Sequence, residues 1–154
     1  MSESSSICLS CLLCCDGTLI GFVQLEKEEI PPLKGLLEIE KDTTGSGVFL
    51  HPCTNLCADG CTIYDDRPKQ CRSFKCKLLK SVEEYEIAFD SAVDEITLVK
   101  DKKEKIEKHL VLLNIDLKSP SFYFKMVELK KLMLTLPKET TSSLKHQTLI
   151  KDLK

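Results

Sequence analysis

The sequence predicts an α+β fold that is mostly α, in which a small cysteine-rich half with short strands packs against a C-terminal helical hairpin. Three observations carry this expectation. All nine cysteines lie between Cys8 and Cys76. Short runs of β-forming residues, separated by turn signals, occupy the same half. From Ser81 onward cysteine is absent and apolar residues recur at helical spacing. The division drawn is 1–80 for the cysteine region and 81–154 for the helical region, and a length of 154 residues suits one domain overall.

Taken in order, residues 1–7 are Ser-rich and read as a frayed start. The first cysteine cluster runs from Cys8 to Cys15 and closes on Asp16-Gly17, a turn signal. Thr18 to Leu25 is rich in β-formers and reads as a short strand. Lys27 to Ile30 leaves room for one helical turn before Pro31-Pro32. Leu36 to Ile39 and Val48 to Leu50 are candidate strands around a turn at Thr43–Gly47. Pro68 suits the first turn of a helix over Lys69 to Lys80. Ser81 and Glu84 form an S-x-x-E capping box that opens the next helix. Its apolar stripe is Tyr85, Phe89, Ala92, Ile96, Val99, Ile106, Leu110 and Leu113, with Lys103 on the same line. One long helix, or two broken near Asp101, both fit. Ser119-Pro120 reads as an N-cap with Pro at the first helical position, opening a helix that carries Phe122, Met126, Leu129, Leu132 and Met133. Pro137 ends it, and Thr140 to Lys154 reads as a weak terminal helix.

Composition narrows the function. Hydrophobic residues make up 42% and charged residues 30%, a globular profile, and tryptophan is absent, so Leu, Ile and Val must build the core. A formal net charge of −2 gives no global case for a polyanionic partner. Nothing approaches the roughly 18 consecutive apolar residues of a membrane span. The opening MSESSSICLSCLLCC has neither a basic n-region nor an adequate apolar one, so a cytoplasmic location with reduced thiols is expected. A disulfide scaffold is the rival reading, but it favours an even cysteine count and a secretory leader.

Clustered thiols in a reducing compartment point to a metal. Cys8-x2-Cys11-x2-Cys14 has the spacing that wraps a tight, loop-like segment around one centre and matches the first three cysteines of a bacterial ferredoxin run. Zinc sites use similar pairs, so spacing alone does not choose the metal. Cys15 diverges from its neighbour Cys14; it could serve a second ion, ligate through an unusual turn, or remain a free thiol. Cys53, Cys57, Cys61, Cys71 and Cys76 form the second group, in which a metal would close long stretches of chain. Taken alone, Cys57 is equally well read as a small buried hydrophobe.

Between Arg67 and Val82 there are six basic residues and no acidic one. The chain's only two arginines, Arg67 and Arg72, both lie there. Their planar forks suit specific bidentate contacts near an anionic thiolate site, while a solvated basic helix face is the plainer reading of the lysines. Of the histidines, His51 could ligate or donate to a ligand but reads first as solvent-exposed; His109 and His146 read as surface positions on helices.

CLSCLLCC followed by CTNLCADGCTIYDDRPKQCRSFKC resembles the CxxCxxCC, or YkgJ, family, a domain described as chelating zinc or iron. Cys8, Cys11, Cys14 and Cys15 match its first part. Cys53 with Leu56, then Cys61, Ile63, Tyr64, Arg67, Pro68, Cys71, Arg72, Phe74 and Cys76 match its second. The resemblance covers roughly the first half of the chain, and Cys57 stands outside the pattern. It implies eight cysteine ligands, Cys8, Cys11, Cys14, Cys15, Cys53, Cys61, Cys71 and Cys76. Tyr64, Arg67 and Arg72 then sit beside the cofactor, orienting the site or lining an exposed pocket. For Tyr64 a packed aromatic with one hydroxyl partner is an equal reading. A similar cluster occurs in flagellin lysine N-methylase, which implies that some relatives assist S-adenosylmethionine-dependent methylation of protein lysines. No G-x-G-x-x-G accompanies the cluster here, and that activity is not carried over.

The leading expectation is therefore a metal-binding protein holding an iron–sulfur cluster or zinc. A four-iron four-sulfur cluster is favoured by the ferredoxin-like triplet and the surplus of sulfurs. The alternatives are a protein-modifying enzyme that uses the metal centre, and a zinc-stabilised nucleic-acid-binding or regulatory module built on Lys69–Lys80. The expected partners are the metal ion or cluster and a protein; no membrane is expected, and nucleic acid is disfavoured.

Overall fold

The three-dimensional structure, a computed structural model, describes residues 3–135 and Lys151. Helix α1 (Glu3–Cys11) leads through a turn to strand β1 (Phe22–Leu25). A 3-10 turn (Lys27–Glu29) runs into the short helix α2 (Ile30–Leu33), followed by β2 (Glu40–Lys41) and β3 (Gly47–Leu50). A hairpin of β4 (Leu56–Cys57) and β5 (Gly60–Cys61) precedes α3 (Lys69–Ser73) and α4 (Lys77–Glu83). Two longer helices, α5 (Phe89–Leu112) and α6 (Phe122–Thr135), complete the order. The fold is α+β and mostly α, with small sheets and a C-terminal helix pair. Among the described residues no helix is long and apolar enough to cross a membrane.

Three small cores hold these elements. The first lies under the antiparallel sheet, ordered β1-β3-β2. Period-two alternation in β1 turns Val23 and Leu25 inward, and Val23 pairs with Phe49 across the ladder. Ile30, Leu33 and Leu37 close that core. The second joins Ile7 of α1, Leu79 and Val82 of α4, and Ala92 and Ile96 of α5. The third joins Ile106 and Leu110 of α5 to Leu129 of α6.

The predicted stripe of α5 thus forms one unbroken helix but serves two cores. Its middle is not apolar: Val99 is partly exposed, and the Lys103 ammonium pairs with Asp16 at 3.0 Å. At the far end Asn114 takes a left-handed φ of 51°. Ile115 N–H then reaches the Leu110 carbonyl and Asn114 N–H the Val111 carbonyl, the paired bonds of a Schellman stop.

Several local expectations give way. Residues from Glu3 onward are helical rather than frayed, so Cys8 and Cys11 sit on a helix instead of a wrapped loop. The strand expected from Thr18 starts only at Phe22. The turn at Lys27 continues through Pro31-Pro32, since proline at the first helical positions has no bond to lose. Leu36–Ile39 is not a named strand; Glu40–Lys41 takes that place beside β3. The helix over Lys69–Lys80 is broken at Phe74, with Pro68 as the N-cap of the first piece.

Ser81 and Glu84 do not open a helix. They close one. Tyr85 turns left-handed at φ 57°, Glu86 N–H bonds the Ser81 carbonyl, and Tyr85 N–H bonds the Val82 carbonyl. The Ser81 hydroxyl goes to Glu86, and Tyr85 is 91% exposed, outside the stripe. Similarly, α6 starts after Ser119-Pro120: Ser121 Oγ accepts the Phe124 N–H, while Ser119 is held by Glu128. Pro137 and, apart from Lys151, the terminal helix expected over Thr140 to Lys154 lie outside the described residues.

Leu129 is fully buried at the α5–α6 contact. Leu129→Ala is expected to cost about 2–5 kcal/mol in urea unfolding, and Val111→Ala, largely exposed, to stay within about 0.5 kcal/mol. Equal losses from the two would contradict the third core.

Candidate metal centre

The centre is organised by the turn that leaves α1. Leu12 adopts a left-handed φ of 58°, a strained conformation for a branched side chain, and stops the helix there. Leu13 is buried, and the Asp16 N–H returns to the Leu12 carbonyl. Asp16 Oδ1 accepts the Thr18 N–H at 2.8 Å while Oδ2 meets Lys103. These bonds fix Cys14 and Cys15 in the middle of the turn. Cys8 and Cys11, three residues apart on α1, share one helix face.

The second cysteine group is brought against the same turn. Cys53 N–H donates to the Cys15 carbonyl at 2.9 Å. The same carbonyl accepts from His51 Nδ1 at 3.0 Å. A carbonyl can only accept, so Nδ1 carries the proton. Cys61 lies on β5 and Cys71 on α3. Cys76 is the N-cap of α4, and its sulfur accepts the Leu79 N–H at 3.4 Å.

The thiols crowd one another. Burial first, then Cys11, Cys76, Cys15 and Cys8, push Cys14 up to about 12. Burial, then Cys15, Cys53 and Cys61, push Cys71 up to about 12, against an opposing pull from Arg67. Burial with Cys53 and Cys61 raises Cys15 to about 11, and Arg67 again opposes. Cys8, Cys11 and Cys53 are raised in the same direction, chiefly by burial. All nine thiols are free.

A cleft of about 90 Å³ is lined by Cys8, Cys14, Cys15, Cys61 and Cys71. Leu9, Leu12, Ile20 and Phe74 make its walls apolar. Tyr64 and Arg67 stand at it as a unit: the guanidinium stacks 3.5 Å from the Tyr64 ring centre, and its Nε–H donates to the Tyr64 carbonyl at 2.7 Å. Arg72 is exposed on α3 and acts on Glu29, away from the cleft.

Cys57 stands apart too. It is exposed, not buried, and its thiol donates to the Gly60 carbonyl at 3.2 Å. His51 overturns the expectation of solvent exposure: it is 3% exposed, edge-on to Phe49, and lines the cleft. Burial lowers its pKa, so the neutral ring prevails at neutral pH. Its sequence signal was faint, a lone histidine two residues before Cys53.

Lys100 also belongs to the site. Its ammonium donates to the Ser10 carbonyl at 2.7 Å and favours the Cys11 thiolate. Only the helical spacing of α5, which sets Lys100 and Lys103 on the turn's side, could have found it.

Among the described residues, no three Cys, His, Asp or Glu side chains are drawn together tightly enough to hold an ion as they stand. In kind, the donor set fits a thiophilic metal: free sulfurs, half-buried except for exposed Cys8 and Cys57, with an N–H on Cys76 and the charges of Arg67 and Lys100 nearby. Closing them on an ion requires side-chain rotation, for which metal binding supplies free energy.

Cysteines grouped in this way along a chain are the mark of metal-chelating domains. The chain belongs to the CxxCxxCC family, described as a "Putative zinc- or iron-chelating domain", which matches residues 7–109. The match reaches well into α5, beyond the first half where the motif lies, and so takes in Lys100 and Lys103. No curated protein and no solved structure matches the chain.

The raised thiols set a pH dependence for the metal-free fold. An unfolded cysteine ionises near 9.0, whereas folded Cys14 and Cys71 resist to about 12. The preference for the protonated thiol therefore stabilises the fold fully below pH 9 and is lost as pH rises toward 12. Thermal melts of the reduced, metal-free chain are expected to fall across that window; a flat profile from pH 8 to 11 would contradict the burial of these thiols.

Proposed function

We propose that this protein binds metal as iron–sulfur, in preference to zinc, with its ligands drawn from Cys8, Cys11, Cys14, Cys15, Cys53, Cys61, Cys71 and Cys76. The observation that carries the reading is the convergence of both motif halves on one turn, while Cys57, outside the motif, hydrogen-bonds elsewhere. All-sulfur donors suit either zinc or iron–sulfur. Two features favour the cluster. Cys8, Cys11 and Cys14 keep the spacing of the first three cysteines of a bacterial ferredoxin run. The cleft between them has room for several waters (about 30 Å³ each in the liquid), which a zinc ion bound directly by four sulfurs does not use.

Arg67 would act on the centre through charge, favouring the thiolate forms of Cys8, Cys15 and Cys71. Tyr64 positions Arg67 by stacking and through its carbonyl. An enzymatic role needs an open cleft beside the metal, and the apolar cleft at Tyr64 and Arg67 is the feature that favours it as a second reading. A nucleic-acid role gains nothing comparable: Lys69 and Lys75, two of the six cations in the basic segment, pair with Glu26 and Glu83.

Anaerobic purification followed by metal analysis and a visible spectrum tests the assignment. A brown sample with thiolate-to-iron absorption near 400 nm (roughly) and acid-labile sulfide is expected. A colourless, zinc-loaded sample would replace the cluster with zinc, and oxidised thiol pairs without stoichiometric metal would end the metal reading. Arg67→Ala is expected to weaken metal retention against a chelator by roughly tenfold, with Arg67→Lys in between.

A further inference from the structure

The cysteines do not form one even cluster. Cys8 and Cys11 share one face of α1, and Cys14 follows in the turn that leaves it. Leu56 N–H binds the Cys53 carbonyl, and Leu56 pairs with Cys61 across the β4–β5 hairpin, so Cys61 stays with Cys53.

Packing draws the same line independently. Cys11 and Cys76 rest on the helical core of Ile7, Leu79 and Ala92. Cys53 and Cys71 rest on the sheet core of Val23, Leu25 and Phe49. Backbone bonds agree: Cys53 N–H binds the Cys15 carbonyl. Helix α1, carrying Cys8 and Cys11, packs on α4, which begins at Cys76.

We propose that the eight motif cysteines hold two metal centres. One takes Cys8, Cys11, Cys14 and Cys76; the other takes Cys15, Cys53, Cys61 and Cys71. This rests on the reading of these cysteines as metal ligands. Four sulfurs complete a zinc site or a cubane cluster, and eight complete two. The adjacent pair Cys14-Cys15 acquires a reason, because successive side chains diverge and one turn can supply a ligand to each side. The ligation is crossed. The first motif gives three sulfurs to the helical centre and one to the sheet centre, and the second motif gives three to the sheet centre and its last, Cys76, back to the helical one. Two-cluster ferredoxins cross their fourth cysteine in the same manner. Arg67, which lines the cleft with Cys8, Cys14, Cys15, Cys61 and Cys71, is the cation the two centres share.

Zinc alone, added to the reduced full chain and counted by native mass spectrometry and elemental analysis, provides the test. The expected result is two zinc ions per chain, falling to one in Cys11→Ser/Cys76→Ser and to one in Cys61→Ser/Cys71→Ser. Cys57→Ser is expected to keep both. In each double variant the surviving site serves as its own control for folding. Cobalt titration of the unsubstituted chain needs no variant: both equivalents should give tetrahedral spectra with equal thiolate charge transfer. One zinc in the unsubstituted chain, lost in both variants, overturns the partition and leaves the metal reading intact. Stoichiometric binding of neither zinc nor iron overturns both.

Discussion

The turn from Leu12 to Thr18 is the constraint on which the rest of the structure depends. It leaves α1 through a left-handed leucine, buries Leu13, and presents Cys14, Cys15 and Asp16 in succession. Each has a different customer. The Cys15 carbonyl collects the Cys53 amide and the His51 ring, tying the sheet region to the turn. Asp16 collects Lys103, tying α5 to it. Lys103 and Asp16 are about three-quarters covered, so this pair is screened less than a surface ion pair, and the two bonds from Thr18 and Lys103 hold the Asp16 carboxyl below its usual range despite burial. A chain with three small cores and no tryptophan has limited apolar area to hold itself together. Polar ties at one turn do what a single large core does elsewhere.

The same crowding creates an electrostatic problem that the protein alone leaves unsolved. Thiols half-buried among thiols favour the proton, and the few cations directed at them, Arg67 and Lys100, offset only part of the mutual repulsion. A bound metal reverses the sign of that balance: it supplies the positive charge and takes the sulfurs as thiolates. On the proposed reading its binding free energy would become folding free energy, tying together the elements that carry the cysteines. This is why cysteines separated by half the chain can be worth more together than any one buried side chain.

Much of this was legible in the sequence, and the failures are physically specific. The two cysteine groups, the stripe on α5 and the helix pair follow from spacing, whereas setting Cys57 apart came from the family resemblance. Ser81 and Glu84 misled because S-x-x-E also occurs where a helix ends. Whether it starts or stops is decided by Tyr85 accepting a left-handed φ, which residue type does not announce. The break at Phe74 within Lys69–Lys80 is likewise silent in composition, yet it frees Cys76 to cap α4. Arg67 and Arg72 were paired by rarity. The fold separates them, because Arg67 lies in the loop before α3 and stacks on Tyr64, whereas Arg72 is exposed on α3 and absent from the cleft's lining. His51 was misread for a similar reason: burial is a tertiary property, and one histidine beside a proline carries no sign of it.

The C-terminal helix shows how far the organising turn reaches. The family match ends at residue 109, before α6 begins. Yet the start of α6 also holds the turn. Tyr123 N–H binds the Gly17 carbonyl at 2.8 Å, and Ser121 sits so close to Gly17 that a Cβ there would meet it at 2.8 Å. Gly17 also holds a φ of +80°, so glycine is required twice over. Four residues on, a Cβ at Gly21 would meet the Phe124 ring at 2.5 Å, the same ring that stacks on Phe22 at the start of β1. Both glycines lie within the family match, and both are shaped to a helix outside it. The fit of these two positions to Ser121 and Phe124 makes α6 a brace for the cysteine turn, extending to the C-terminal side what Lys100 and Lys103 do from α5.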